Sequence, residues 1–159
     1  MASRSTSFWT FIGILILLHL VLRLALGLTI VPDLVVVAAL LGGRRLGGWQ
    51  SALFGLLLGI LADSLALVAF GATSVAFVVV CYIGSRSRNF FEGDSYLFIA
   101  FYAVIGAWLV EVIRFFAGGA MARGLDTGYL VGAGLLNALY VAAAAVVSLI
   151  AYRAITGHR

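Results

Sequence analysis

The residues best able to do chemistry are six polar side chains inside apolar stretches of the sequence. They are Arg23, Asp33, Asp63, Glu111, Arg114 and Asn137. Ionisable side chains in membrane segments face the protein interior, where they pair with one another or mark a functional site. Glu111 and Arg114 are three residues apart and can pair on one helix. Arg23 is then the expected partner of Asp63.

Two interpretations of this polar cluster stay open. In the first, the charges only fix how the helices pack. In the second, three acids against two arginines leave one carboxylate unpaired, and the cluster is a partner-binding site. The unpaired acid is then solvated, protonated or matched by a partner molecule. Asn137 is expected to make a hydrogen bond between helices, and His19 is expected to be a packed or interfacial side chain.

Signals for catalysis, metal or cofactor binding are missing from the sequence. There is no H-E-x-x-H, C-x-x-C or phosphate-binding loop, and no serine has a histidine and an acid nearby in sequence. We therefore expect a protein that is not an enzyme, with no catalytic residue, metal or cofactor. The net charge of +4 comes from arginines in short loops beside apolar segments, so we expect no nucleic-acid binding.

The composition predicts a polytopic membrane protein. Of 159 residues, 64% are hydrophobic and only 10% are charged, whereas soluble domains average about 25% charged residues. One span needs roughly 20 apolar residues, so the chain is expected to be a single integral membrane domain, residues 1–159, with about six helices. The predicted all-α helices cover about 8–28, 33–41, 49–70, 74–84, 95–117 and 129–154.

Arginine placement predicts the orientation of this helical bundle. With six crossings, one side would hold Arg4, Arg44, Arg45, Arg86, Arg88, Arg153 and Arg159, and the other only Arg123. Basic loops stay in the cytoplasm, so both termini are expected there and the intramembrane charges are expected in the outer half. The loops with Arg44, Arg45, Arg86 and Arg88 would face the cytoplasm.

The third predicted helix carries a row of small residues. Gly55, Gly59 and Asp63 recur every four positions and so share one helix face. Two glycines at this spacing allow a neighbouring backbone to approach closely in a membrane. The row predicts a central helix with a packing groove that is able to receive a partner helix.

The first half of the chain resembles the MreD family of bacterial rod shape-determining membrane proteins. The resemblance lies in Pro32–Leu34 opening a short helix, the basic turn 42–48, the Gly55/Gly59/Asp63 row and a short segment 71–84 closed by Arg86. The second half agrees in hydropathy and span count. Asp33 and Asp63 are the acids that match the family pattern.

The resemblance implies a non-enzymatic subunit of the elongasome, the rod complex of the bacterial cytoplasmic (inner) membrane. Such a subunit helps to control peptidoglycan synthesis and cell shape. It binds MreC, a single-span protein, and is linked to the RodA glycosyltransferase, a class B penicillin-binding protein and, indirectly, the MreB filament.

A second resemblance predicts a different function. Six helices with a polar outer region also resemble the substrate-binding subunit of energy-coupling-factor (ECF) vitamin transporters, whose general fold MreD is expected to share. Vitamin sites need aromatic and polar groups, whereas the outer connections here are mostly small and apolar, which favours the scaffold. A proton-coupled carrier using Asp63 and Glu111 is a weaker third option, because the broken-helix repeats of carriers are absent.

Overall fold

The structure is a computed structural model that describes residues 2–25, 32–65, 71–87, 96–117 and 127–156. Within these ranges all regular structure is helical. The helices are α1 (Ala2–Leu20), α2 (Leu34–Gly43), α3 (Gly48–Leu65), α4 (Ala72–Ser87), α5 (Tyr96–Ala117) and α6 (Leu135–Ile155). A π-helical turn, Val21–Ala25, follows α1, and another, Leu130–Gly134, precedes α6.

One end of the bundle, called the basic end here, holds Arg44, Arg45, Arg86 and Arg153. The start of α1 meets the ends of α2 and α6 there, because Arg45 lies over the Phe8 ring and Phe8 packs edge-on against Tyr152. The hydroxyl of Ser51, near the start of α3, donates to the carbonyls of Gly43 and Cys81, at 2.8 and 2.6 Å. Arg44, which follows α2, lies over the Phe98 ring near the start of α5. Together these contacts join three helix starts and three helix ends, so consecutive helices run in opposite directions.

The opposite end, called the acidic end, contains the carboxylates of the described residues: Asp33, Asp63 and Glu111. Asp33 precedes α2 and contacts Arg114, near the end of α5. Asp63, near the end of α3, contacts Ser74, near the start of α4. The described arginines other than Arg114 and Arg23 lie away from this end on their helices, so charge is segregated along the bundle axis.

The central helix is α2, not α3 as the glycine row predicted. All ten residues of α2 are buried, and this helix contacts every other helix. A helix that is apolar on all sides is buried on all sides, and α2 is too short to cross a bilayer without longer neighbours. By contrast, α3 exposes one apolar face, with Leu57 at 60% exposure.

Four segments are long and apolar enough to cross a membrane: Thr6–Arg23, Gly48–Leu65, Leu97–Ala117 and Leu130–Ile155. The described chain is thus an all-helical bundle with four candidate spans. At 1.5 Å per residue, α2 is about 15 Å long and α4 about 24 Å, against a hydrocarbon core of about 30 Å. Both short helices nevertheless alternate in direction with the long ones.

Most helix bounds agree with the prediction within about three residues. The exceptions are α1, which begins at Ala2 rather than Phe8, α3, which is described only to Leu65, and α6, which begins at Leu135 because the predicted first turn is π-helical. The predicted continuations over 26–28 and 66–70 lie outside the described residues. The start of α2 is the best explained, because Asp33 accepts a hydrogen bond from the Val36 amide at 3.3 Å as an N-cap.

Candidate partner-binding site at the acidic end

Four polar side chains form a continuous set of contacts between α2, α5 and α6; we call it the outer cluster: Asp33, Glu111, Arg114 and Asn137. The Arg114 guanidinium lies 3.3 Å from Asp33 Oδ2 and 3.7 Å from Glu111 Oε1. Asn137 Nδ2 donates to Glu111 Oε1 at 2.8 Å. The Glu111–Arg114 pair predicted from the sequence is therefore present, and Asn137 makes the expected bond between helices.

The outer cluster is partly open to its surroundings. The side chains of Asp33, Glu111 and Arg114 are 20%, 16% and 24% exposed. Two carboxylates share one guanidinium, so the cluster carries an excess negative charge. A charge near lipid is costly unless a countercharge meets it, which suits the cluster to an incoming donor or cation.

His19 lies beside the outer cluster and was not among the predicted site residues. Its Nε2 is 3.9 Å from Asp33 Oδ1, and its side chain is only 4% exposed. Its Nδ1 has no hydrogen-bond partner in the described part of the chain. The spacing of His19 to Arg23 does not indicate this position, because Arg23 is exposed whereas His19 is buried against Asp33 of another segment.

Phe77 is a second residue that the sequence did not indicate. Its ring, from α4, lies 5.6 Å from the Arg114 guanidinium carbon and is fully buried. An aromatic face attracts a cation, so Phe77 helps to hold Arg114 between its two carboxylates. An apolar residue on a separate helix gives no sequence signal for this role.

Both π-helical turns lie at the acidic end. One begins two residues after His19 and contains Arg23, and the other ends three residues before Asn137. Wide turns of this kind occur often at functional sites. The carbonyl of Leu130 in the second turn accepts a hydrogen bond from Trp108 Nε1 at 3.2 Å. Thus α1 and α6 each have a π-helical turn next to the outer cluster.

Arg23 does not pair with Asp63 as predicted. Arg23 is exposed on its π-helical turn, and the ion pairs among the described residues do not include it. The prediction assumed that opposite charges in neighbouring spans at similar depth must meet. The actual partner of Asp63 is a set of backbone and hydroxyl donors.

Asp63 caps the start of α4. Its carboxylate accepts bonds from the amides of Gly71, Thr73 and Ser74 at 2.9, 3.2 and 3.0 Å, and from the Ser74 hydroxyl at 2.7 Å. The side chain is buried, at 1% exposure. A helix N-terminus attracts negative charge, so Asp63 is satisfied without an arginine and lies outside the outer cluster.

Gly55 and Gly59 form the packing groove, but α4 of the same chain already fills it. A Cβ on Gly55 would lie 2.5 Å from the Phe77 carbonyl oxygen, and one on Gly59 would overlap the Ser74 Cα. Such contacts leave no space for a side chain. The groove therefore joins α3 to α4 and is not free to receive a partner helix.

The predicted cytoplasmic arginines cover aromatic rings at the basic end. The Arg45 guanidinium carbon lies 3.8 Å from the Phe8 ring centroid, and that of Arg44 lies 4.7 Å from the Phe98 centroid. Arg86 lies 5.9 Å from the Tyr82 ring. Arg88 lies outside the described residues.

Comparison with protein-family models, with curated proteins and with solved structures finds no match for this chain.

Proposed function

We propose that this chain is a non-enzymatic, MreD-like membrane subunit of a bacterial rod complex in the cytoplasmic membrane. The observation that supports the proposal most is that each residue carrying the resemblance has a role in building the bundle. Asp33 opens α2, Gly55 and Gly59 pack α3 against α4, and Asp63 caps α4. These roles explain why the residues occur in this order and spacing.

The outer cluster is the proposed contact for MreC. The contacts of Asp63, Gly55 and Gly59 are made within the bundle, where α4 packs against them. By contrast, Glu111 and Asn137 reach the surface at the acidic end. A segment of MreC next to its single span would supply the group that balances the excess charge. RodA, the class B penicillin-binding protein and MreB would associate through this pair, with the arginine loops on the cytoplasmic side.

Capture of MreC from detergent-solubilised membranes tests the proposal. The tagged chain is co-expressed with the MreC protein of the same bacterium, and the two are recovered together. The variant Glu111→Gln removes the excess charge and keeps an amide that is able to bond Asn137. We expect it to lower MreC recovery severalfold while the yield of the tagged chain is unchanged.

Ser64→Ala is the matched control for this experiment. Ser64 is exposed near the end of α3, and its hydroxyl donates to the Leu61 carbonyl of its own helix at 2.7 Å. Its loss should leave MreC recovery at the level of the unmodified chain. Equal recovery with Glu111→Gln would contradict the assignment of the outer cluster, and no recovery with the unmodified chain would contradict the scaffold function.

A small-molecule-binding subunit of an uptake transporter, with the ECF-type fold, is the alternative function. The partly exposed mixture of two carboxylates, a guanidinium and an amide favours it, because such groups fix the orientation of polar ligands. Mass spectrometry of the purified chain would reveal a retained vitamin-sized molecule. Rounded cells on depletion of the protein, with no retained molecule, would instead support the scaffold.

A further inference from the structure

A buried histidine, His19, lies in the last turn of α1 beside the outer cluster. Its side chain is 4% exposed, and its Nε2 lies 3.9 Å from Asp33 Oδ1. Its Nδ1 is buried without a hydrogen-bond partner in the described part of the chain. A polar atom that is buried without a partner costs free energy, so packing alone does not account for a histidine at this position.

The charges that act on His19 come from three segments. They are Asp33 before α2, Arg23 in the π-helical turn that follows α1, and Arg114 of α5. Asp33 and the backbone of Pro32 stabilise a protonated imidazole, whereas burial and the two arginines oppose it. Histidine is the side chain whose charge ordinarily changes between about pH 5 and 8. Asp33 is therefore the group through which a proton on His19 would act on the outer cluster.

The geometry of Asp33 allows it to contact two cations at once. Its Oδ2 faces the Arg114 guanidinium at 3.3 Å, and its Oδ1 faces His19. With a neutral His19, the negative charges of Asp33 and Glu111 exceed the positive charge of Arg114 by one. A proton on His19 supplies the missing positive charge and brings this sum to zero. We propose that His19 is a proton-binding site that sets the net charge of the outer cluster.

This inference adds regulation to the proposed MreC contact, and its effect on MreC rests on the proposed function. A partner that supplies a positive group is attracted most strongly while His19 is neutral. Protonation of His19 cancels the excess negative charge, as Glu111→Gln does, so acid should weaken the contact. Because the acidic end is expected on the outer side of the membrane, the site would respond to the pH outside the cytoplasm.

Nitrogen NMR of the full chain with labelled histidine, in neutral detergent, detects the proton directly. The sequence has two histidines, His19 and His158, so His158→Gln leaves only the His19 signal. We expect this signal to change from the neutral to the protonated form between about pH 7.5 and 5. Asp33→Asn removes the anion that stabilises the imidazolium, so it should move the midpoint to lower pH.

Two results of this titration would overturn the proposal. The first is a His19 signal that does not change over the whole range, because the side chain would then have a fixed charge. The second is a midpoint that Asp33→Asn leaves unchanged, because His19 would then titrate without coupling to the outer cluster. Neither result depends on MreC.

Recovery of co-expressed MreC at about pH 7.5 and 5.5 tests the consequence for binding. Acid should lower recovery with the unmodified chain severalfold, toward the level of Glu111→Gln at the higher pH. His19→Gln keeps an N–H donor near the position of Nε2 but takes up no proton, so it should lose most of this pH dependence. His158→Gln is the matched control and should keep it.

Thermal unfolding in neutral detergent shows whether His19→Gln is folded; if it is not, the NMR titration of the histidine itself decides. Equal pH dependence of MreC recovery with the unmodified chain and a folded His19→Gln would overturn the proposal, because other groups, Asp33 and Glu111 among them, would then be responsible. No MreC recovery at either pH would instead contradict the scaffold function, and the titration would still decide whether His19 is the proton site.

Discussion

Two aspartates at the acidic end stand beside the starts of the two short helices, yet they have different surroundings. Asp63 comes from the preceding helix, is 1% exposed and accepts four hydrogen bonds. Asp33 belongs to the turn it caps, is 20% exposed, accepts one amide bond and lies beside Arg114 and His19. One carboxylate is fully used by the fold, and the other is shared with a cluster that reaches the surface.

The two aspartates have the same side chain and each lies beside the start of a short helix, but the difference in their surroundings gives them different roles. Asp63 is structural, and Asp33 belongs to the cluster that we propose binds a partner. A carboxylate with four donors and no exposure has no capacity for a further ligand. A carboxylate that shares one guanidinium with a second acid retains acceptor capacity and charge. The outer cluster is therefore the part of the acidic end to which we assign partner binding, whereas Asp63 holds α3 against the start of α4.

The largest effect is expected from Asp63→Leu. The substitution leaves three amides and one hydroxyl without their acceptor in a buried place, which should cost at least about 3 kcal/mol of unfolding free energy. Thermal unfolding in detergent measures the loss. Because the whole fold is weakened, reduced MreC recovery with this variant would not by itself locate a contact. A stability close to that of the unmodified chain would contradict the capping role.

Gly59→Ala should have the next largest effect. The new methyl group would overlap the Ser74 backbone, which is held by the same Asp63 bonds, so overpacking should cost about 2 kcal/mol. Gly13→Ala is the control, because no atom lies within 4 Å of a Cβ placed there. The same unfolding assay compares the two variants, and equal stability would show that α3 and α4 have a looser contact than described.

Asp33→Asn should lower the unfolding free energy less than Asp63→Leu does. Its effect on MreC binding, relative to its effect on stability, should be larger. The amide oxygen still caps α2, so the loss of a partly exposed ion pair should cost about 1 kcal/mol. MreC recovery should fall with the loss of charge. A stability loss as large as that of Asp63→Leu would erase the distinction drawn between the two aspartates.

The smallest effect on stability is expected from Asn137→Ala. Hydrogen bonds between membrane helices contribute about 0.6 kcal/mol on average, and Asn137 is exposed. Leu136→Ala, an exposed apolar neighbour, is its control in the unfolding assay. A loss above the Asp33→Asn value would indicate that Asn137 fixes the α5–α6 packing and is not mainly a surface group.

The sequence was sufficient for the helices and for contacts within one helix, but not for contacts between distant helices. The Glu111–Arg114 pair follows from a spacing of three, and the start of α2 follows from the Pro32–Asp33 pattern. The partners of Asp63 could not be predicted from a sequence pattern, because three of its donors are backbone amides, which almost any residue type provides. The Gly55/Gly59 row indicated close approach but not which helix approaches, so the groove was wrongly expected to be open and α3 to be central.

The burial of α2 on every side has a consequence for biosynthesis. A ten-residue apolar helix of about 15 Å is too short to be released into lipid as an independent span, and its contacts include α6, which follows it in the chain after α3, α4 and α5. Its backbone ends are shielded only after the later helices have gathered around it. We therefore expect the membrane insertion machinery to retain α1 and α2 until α6 has been synthesised.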